Sequence, residues 1–508
     1  MRSKNELTRN GPRDGRRFKK PVLRSAFDAP RSFSLSYGQE QVWFMDGLPP
    51  GSPLHHLCLQ VPFRGSCDVT SLRRALDALA ARHDMLRARF ETVEQRPVQI
   101  VEPEIAVDLE IEDLSALPED QRAHVLARAL RKAAAAPFDL AATCARYKLF
   151  RLDPASHLLS VTLHRLIADD WSLHVFVADL TTAYEGYRRG EPDPDLPALP
   201  VAYSDYAQWQ RAALRGLRLR DLTDYWTNHL AGAPHILQLP TDRPRPNNQV
   251  FRGTLASFVI DDRLSELLIA FSARRRVTLF MVLLTCYYTL LYRHSGQEDL
   301  TVGVPVANRR HPGLESVIGR FVNTLLLRVR LRHTQTLAEL VAEVQRITLG
   351  AFEHQALPLA RLVAELDVEP VPGYPPLYQE VFNFQNISLI ESAGPGVKPG
   401  TMAHGDWPPV HASTAKVDLY LTIVRNGSRL TGGLEYNAAL FDRETIDDLI
   451  SHFQAIADWL VRDPSLSLIT IPLDPAAEAA HAGAGIRRAE TAAFGHLVPR
   501  IDFEAFTP

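Results

Sequence analysis

The feature that most constrains the fold is an alternation of strand-like and helix-like segments that occurs twice, on either side of two proline-rich stretches. These stretches are EPDPDLPALP at 191–200 and PTDRPRP at 240–246. Before them, apolar residues at helical spacing mark 71–82 (Leu72, Ala75, Leu76, Leu79) and 122–134. Residues 157–163 form a short apolar run after Pro154, the pattern of a buried strand, and a helix is predicted over 172–187. After them come strand-like 255–260, a helix over 276–293, strand-like 300–304 and 324–331, and a helix over 337–352. The proline clusters break both kinds of element, so the segment between them reads as a crossover joining two lobes. Alternation of this kind argues an α/β architecture. A chain of 508 residues exceeds what one core normally organises, and two or three domains are expected.

Charge narrows the class of partner. Lys plus Arg number 56 against 59 Asp plus Glu, a net of -3, so no whole-chain attraction to nucleic acid or to a membrane is implied. Residues 1–32 are read as a linker, with ten basic against three acidic side chains up to Arg31. Residues 475–508 are Ala- and Gly-rich and are read as a second linker. The four cysteines, Cys58, Cys67, Cys144 and Cys286, show no CxxC or Cys/His spacing, and the start of the chain has no signal-peptide core. A reduced, cytoplasmic setting is expected. The most apolar run, 277–292, is shorter than the roughly 20 residues that span a bilayer and reads as a buried core helix. No zinc spacing, phosphate-cradling glycine loop or haem-ligating cysteine motif is present, and neither metal nor cofactor is expected.

The chemistry-bearing stretch is LHRLIADDW at 163–171, where a strand delivers His164, Arg165, Asp169 and Asp170 into a turn before a helix. On its own this reads first as a satisfied structural His/Asp pair and only second as a site. The surrounding motifs shift that reading. LSYGQEQVWFMDGL (35–48), ARHDMLRARF (81–90), PFDL (137–140), YSDYAQW (203–209) and YWTNHLAGAPHILQLPTDRPRP (225–246) occur in order. VGVPVANRR (302–310), IGRFVNTLLLR (318–328), PLYQEVFNFQN (376–386) and GLEYNAALFD (433–442) follow them. Together they resemble the condensation domain of non-ribosomal peptide synthetases.

The resemblance implies an α/β fold of two chloramphenicol-acetyltransferase-like lobes set in a V, at 33–207 and 208–474, with a tunnel that admits carrier-bound donor and acceptor from opposite faces. The family signature is HHxxxDG, whose second His deprotonates the acceptor amine or stabilises the tetrahedral intermediate. Here it reads HRxxxDD, with Arg165 for that His and Asp170 for the Gly. A guanidinium offers donors only and stays protonated, so Arg165 cannot take a proton from an amine. Loss of a positioned general base is worth roughly 10²–10⁴ in rate. An Arg165–Asp170 ion pair is expected to obstruct the tunnel at its narrowest part. By the same resemblance Asp169 is structural, paired with Arg309 or Arg310 of the VANRR turn.

HRxxxDD in a condensation-like chain is similar to the X-domain of glycopeptide antibiotic synthetases of the vancomycin and teicoplanin class. That similarity implies a condensation-inactive platform between a peptidyl carrier protein and a thioesterase, recruiting cytochrome P-450 (Oxy) enzymes that cross-link the carrier-bound peptide. No catalytic residue is then expected. The alternative is a condensation domain that still forms amide bonds, with Arg165 as an electrophile. An acetyltransferase or epimerisation domain would keep the missing His, and a heterocyclisation domain would begin its signature with Asp. Gln41, where the first motif usually has Arg, and EPVPGY at 369–374 are further departures. Docking is expected on the N-terminal lobe, on a helix bearing Arg73, Arg74 and Arg82 or one bearing Arg122, Arg128 and Arg131. Trp171 and Trp209 are read as core packing, and His55 and His56 as lying outside any site.

Overall fold

LFMVLLTCYYTLLY, from Leu279 to Tyr292, has no polar face, and a helix apolar all round must be covered on every side. It forms the centre of the C-terminal lobe in the computed structural model, which describes residues 29–46, 53–366, 371–375, 377–386 and 414–473. Thr278 caps its start by accepting from Met281 N, and Gly296, at φ 69°, ends it in the left-handed conformation that glycine adopts without steric cost. Phe382, Val302, Leu340, Leu449 and Phe453, all within a few per cent of full burial, belong to the same core.

The N-terminal lobe runs β1 (Arg31–Ser34), α1 (Tyr37–Asp46), β2 (His56–Arg64), α2 (Val69–Arg82), β3 (Ala88–Val93), β4 (Arg96–Val101), β5 (Leu109–Asp113), α3 (Glu119–Ala135), β6 (Ala145–Asp153), β7 (Ser156–His164) and α4 (Asp170–Arg188). Two helices follow, α5 (Tyr203–Ala213) and α6 (Gly216–Leu230). The C-terminal lobe runs β8 (Gly253–Ile260), α7 (Asp262–Arg275), α8 (Leu279–Ser295), β9 (Asp299–Val306), β10 (Asn323–Arg330), α9 (Leu337–Glu353), α10 (Leu359–Leu366), β11 (Glu380–Gln385), β12 (Leu419–Asn426), β13 (Arg429–Asn437) and α11 (Arg443–Arg462).

The first lobe holds a four-stranded sheet in the order β2-β7-β6-β5 and a three-stranded sheet β1-β4-β3; the second holds a six-stranded sheet β10-β9-β11-β12-β13-β8. β11 runs parallel to both its neighbours, β9 and β12, and β5 runs parallel to β6. The remaining pairs are antiparallel. The elements expected from periodicity form within a few residues of their expected ends. Two details differ. β1 begins at Arg31, inside the segment read as linker, because Arg31–Ser34 pairs with 98–101. The stretch read as a plain crossover contains α5 and α6, and α5 spans the expected lobe boundary at 207/208. Its Tyr203 and Tyr206 belong to the N-terminal core, while Leu214, just after it, belongs to the C-terminal one.

The lobes are joined a second time. The 307–322 connection between β9 and β10 leaves the C-terminal sheet and enters the N-terminal core, where Leu314, Val317, Ile318 and Phe321 are buried. Gly319 is required there, since a Cβ would lie 1.9 Å from the Tyr203 ring. Segments 1–28 and 474–508 and residues Glu369 and Pro370 lie outside the described residues.

Candidate functional site at the junction of the lobes

β7 ends at His164, and α4 starts at Asp170 with Asp169 as its N-cap. The sequence dictates this: Asp at the cap and Ser three residues on form a reciprocal pair, with Ser172 N donating to Asp169 Oδ1 at 2.9 Å and Asp169 N donating to Ser172 Oγ at 3.3 Å. The cap is also the keystone of the lobe contact. Arg309 Nη2 donates to Asp169 Oδ1 at 2.9 Å, and the 307–322 connection adds Phe321 N and Val322 N on Oδ2 at 2.9 and 3.2 Å. Both side chains of the ion pair are at most 3% exposed. Burial alone would raise the Asp169 carboxyl, but Arg309 and the converging donors outweigh it and hold the group below the usual carboxylate range. Arg309 also donates to Leu314 O and Val317 O and lies over the Phe321 ring.

The two tryptophans meet the same connection. Trp171 Nε1 donates to Glu315 O at 2.9 Å, and the Trp209 ring meets His311 edge-on at 4.4 Å. Both are half-buried and pack on the N-terminal core.

His164 is buried, its Nδ1 accepting from Leu166 N at 3.3 Å, with the rings of Phe138 and His56 about it at 5.8 and 6.0 Å. Arg165 Nη1 donates to Asp170 Oδ2 at 3.4 Å, and the two side chains are 22% and 48% exposed. A pair this open is worth about 0–1 kcal/mol. Burial would lower the guanidinium, but Asp170, with Tyr420 of β12 and Glu435 of β13 beyond it, raises it above the ordinary arginine value. Arg165 therefore faces the C-terminal sheet permanently charged. Position 165 supplies donors for an oxyanion and nothing that accepts a proton.

One residue escaped the sequence reading. His55, in the turn before β2, accepts the Arg165 N–H on its carbonyl at 2.7 Å, and its ring is 6.1 Å from that of His164. It is 3% exposed, and neither ring nitrogen has a hydrogen-bond partner among the described residues. Burial, then Lys416, His164, Arg320 and Arg165, push its basicity far below the ordinary histidine value, so this imidazole is neutral and a poor proton acceptor. Only the antiparallel pairing of β2 with β7, which sets His56 opposite His164, brings it here. His56 itself bonds Ala134 O through Nδ1 at 2.7 Å.

The arginines singled out for docking divide into two groups. Arg73 donates to Leu109 O, Arg74 donates to Pro192 O and lies over the Tyr187 ring, and Arg82 pairs with Asp179 at 2.8 Å. On α3, Arg122 donates to Leu117 O, whereas Arg128 and Arg131 are exposed. Arg73 and Arg74 are exposed too, but their guanidinium groups are engaged within the domain, so the two α3 arginines are the exposed ones that bond nothing among the described residues. Gln41 is half-buried on α1; two residues before it, Gln39 holds the signature loop by donating to Leu166 O at 3.0 Å. Among the described residues, no group of three or more His, Cys, Asp or Glu side chains could hold a metal ion, and no helix is long and apolar enough to cross a membrane.

The condensation-domain family matches residues 31–481. The chain belongs to this family of non-ribosomal peptide synthetase domains and has its fold. It is 35% identical over 441 residues to phosphinothricin tripeptide synthetase PhsC of Streptomyces viridochromogenes, covering 86% of this chain and 40% of that protein. It is 35% identical over 424 residues to malpinin synthetase of Mortierella alpina, covering 83% of this chain and 5% of that one. The chain thus spans less than half the length of these relatives. Among solved structures, a complex of the X-domain and OxyB from teicoplanin biosynthesis aligns with a TM-score of 0.76 at 26% identity, over 91% of this chain and 99% of that one.

Proposed function

We propose that this condensation-type domain is a non-catalytic platform of a peptide synthetase, of the X-domain kind, that docks a cytochrome P-450 (Oxy) enzyme beside a carrier-bound peptide. The observation that carries the reading is the Arg165–Asp170 pair at the position of the catalytic imidazole. A donor-only, permanently charged side chain there removes the proton acceptor on which condensation depends. His55, whose ring lies 6.1 Å from that of His164, is held neutral and weakly basic. The similarity to the teicoplanin X-domain, seen in complex with OxyB, supports the cytochrome as partner. Neighbouring peptidyl carrier and thioesterase domains and a cytoplasmic setting go with that role. The docking face belongs on the N-terminal lobe, with Arg128 and Arg131 of α3 at its charged rim.

The test is calorimetric titration of the chain with Oxy-type cytochromes encoded beside its synthetase, at low and high salt. A 1:1 complex is expected, weakened by salt and by Arg128→Glu with Arg131→Glu. No binding to any such cytochrome, together with amide formation from carrier-loaded donor and acceptor, would put the condensation reading in its place.

A further inference from the structure

β5 ends the four-stranded sheet and pairs only with β6 among the described residues. Just past it, Leu114 N donates to Arg151 O of β6. Alternate residues of a strand turn their backbone groups to opposite sides, so those of Ile111 and Asp113 point away from the sheet. Arg73 Nη2, which reaches Leu109 O at 3.0 Å from α2, marks the same outer side. Ile111 is 50% exposed, and Ile105, in the connection from β4, is 37% exposed. An open edge beside uncovered aliphatic side chains is a template for another stretch of chain, and proteins normally cover or blunt it.

Charge and position say what covers this edge. Residues 102–113, EPEIAVDLEIED, hold six carboxylates and no base. Glu102 pairs with Arg89, Glu110 and Glu112 share Lys148, and Asp113 lies 3.6 Å from Arg151. Glu104 and Asp108 are exposed and make no hydrogen bond or ion pair among the described residues. The complementary occupant is basic and partly apolar. Of the long segments outside the described residues, 387–413 has one basic against two acidic residues and 474–508 has three against five. Segment 1–28 has nine against three, and its densest part, RDGRRFKKPVLR at 13–24, combines six cations with Phe18, Val22 and Leu23. β1 brings this segment to the same place. Arg31 lies opposite Val101 in antiparallel register, so the chain entering β1 arrives beside the first residues of the acidic stretch.

We propose that the basic segment 13–28 lies antiparallel along 102–113 and covers the open edge of β5. Continuing the β1–β4 register sets Phe27 abreast of Ile105, Arg24 of Asp108, and Lys20 and Lys19 of Glu112 and Asp113. At 3.3–3.6 Å per extended residue, roughly 40 Å of edge is matched by an equal length of the segment. Exposed ion pairs are individually weak, but the tether compensates. A segment held beside its surface has an effective concentration on the order of 1 mM, so a contact of about 0.1 mM strength is occupied roughly ten to one. The basic segment is thereby a docked strap and not a free linker.

The inference stands apart from cytochrome recruitment, since its test uses the full chain alone. A carbodiimide, which joins a lysine amine to a carboxylate it touches, is applied to dilute chain at low salt, and the joined peptides are mapped by mass spectrometry. Lys19 and Lys20 are expected to link to Glu112 and Asp113, and the links to disappear in about 1 M sodium chloride, where the screening length falls to about 3 Å. Tryptic cleavage between Arg16 and Lys20 at low salt is expected to be about fivefold faster in Asp108→Arg than in the wild type, and likewise in Arg24→Asp. The two substitutions together should restore protection. Melting curves show that each variant is folded. Links from Lys19 and Lys20 scattered over carboxylates elsewhere, or equal cleavage of the wild type and Asp108→Arg, would overturn the proposal. So would links formed only between chains in a mixture of isotope-labelled and unlabelled protein, which would give the edge to a second copy.

Discussion

Replacing Asp169 by Asn isolates the contribution of one charge to the lobe junction. The substitution keeps size and shape and leaves an amide oxygen that can still accept from Ser172 N at the start of α4. What it removes is the negative charge facing Arg309, at a place where both side chains are at most 3% exposed. It also turns one acceptor oxygen into an NH₂ that would point at the donors Phe321 N and Val322 N. Breaking a buried pair from one side typically costs about 3–5 kcal/mol, chiefly because the surviving charge is left uncompensated. The lower half of that range applies, since Arg309 keeps Leu314 O and Val317 O as acceptors. At roughly 2.1 cal/mol/K per residue, the 407 described residues have a melting entropy of about 0.85 kcal/mol/K, so the drop in Tm is about 3–5 °C. Differential scanning calorimetry of the wild type, Asp169→Asn, Arg309→Met and the double variant measures it. The double variant should cost clearly less than the two single variants added together, because neither charge is then stranded. An Asp169→Asn protein melting within 1 °C of wild type, or strict additivity in the cycle, would refute the argument. The pH dependence has a definite sign. The Asp169 carboxyl is depressed in the folded state, so its contribution is present above the unfolded value near 3.8 and disappears as pH falls through the lower folded value.

Two further outcomes follow from other sites. Arg165→His, alone or with Asp170→Gly, should leave peptide-bond formation between carrier-loaded substrates far below that of active condensation domains, because Arg320 would still disfavour the protonated form of the new imidazole; efficient turnover would show that the signature alone silences the domain. Glu380 is 1% exposed with neither carboxyl oxygen partnered among the described residues, and burial, then the nearby Asp418, raises it well above the usual value. Its protonated form is therefore favoured by folding, and that contribution, complete below the unfolded value near 4.5, is lost as pH rises through the folded one. Glu380→Met should stabilise the chain by about 1–3 kcal/mol, more at pH 8.5 than at pH 5.5 in urea unfolding, and an equal shift at both would count against a titrating Glu380.

The fold was readable wherever one periodicity dominated. α2 buries Leu72, Ala75, Leu76 and Leu79, the four residues whose spacing marks the helix, and α8 is buried all round as its apolar run requires. β2 and β6 were not anticipated, since their interest lies in pairing: His56–Arg64 alternates weakly by itself and becomes a strand by lying against 156–164. α5 and α6 were hidden by the proline-rich stretches around them. Their apolar positions, Tyr203, Tyr206, Leu222 and Trp226, are sparse and are buried only because two separate cores meet there.

The site divides along the same line. His164, Arg165, Asp169 and Asp170 sit within seven residues of chain, so a local motif exposes them, whereas the partner of Asp169, Arg309 or Arg310, was indicated only by the family resemblance, and the structure has it as Arg309. His55, Arg320 and Lys416 are separated from that motif by more than a hundred residues each. They reach it through a strand register, a loop that crosses from one lobe into the other, and the approach to β12 on the facing sheet. None of these is encoded in spacing. The consequence for function is that the Arg165 substitution is not a local edit. A guanidinium added beside Arg320 increases an existing positive field, and Asp170, in place of glycine, supplies the nearest negative charge at 3.4 Å. The two departures from HHxxxDG are therefore electrostatically coupled: reverting Asp170 alone would leave Arg165 facing Arg320 without its carboxylate, which predicts that Asp170→Gly lowers the melting temperature in scanning calorimetry more than Arg165→Gln does.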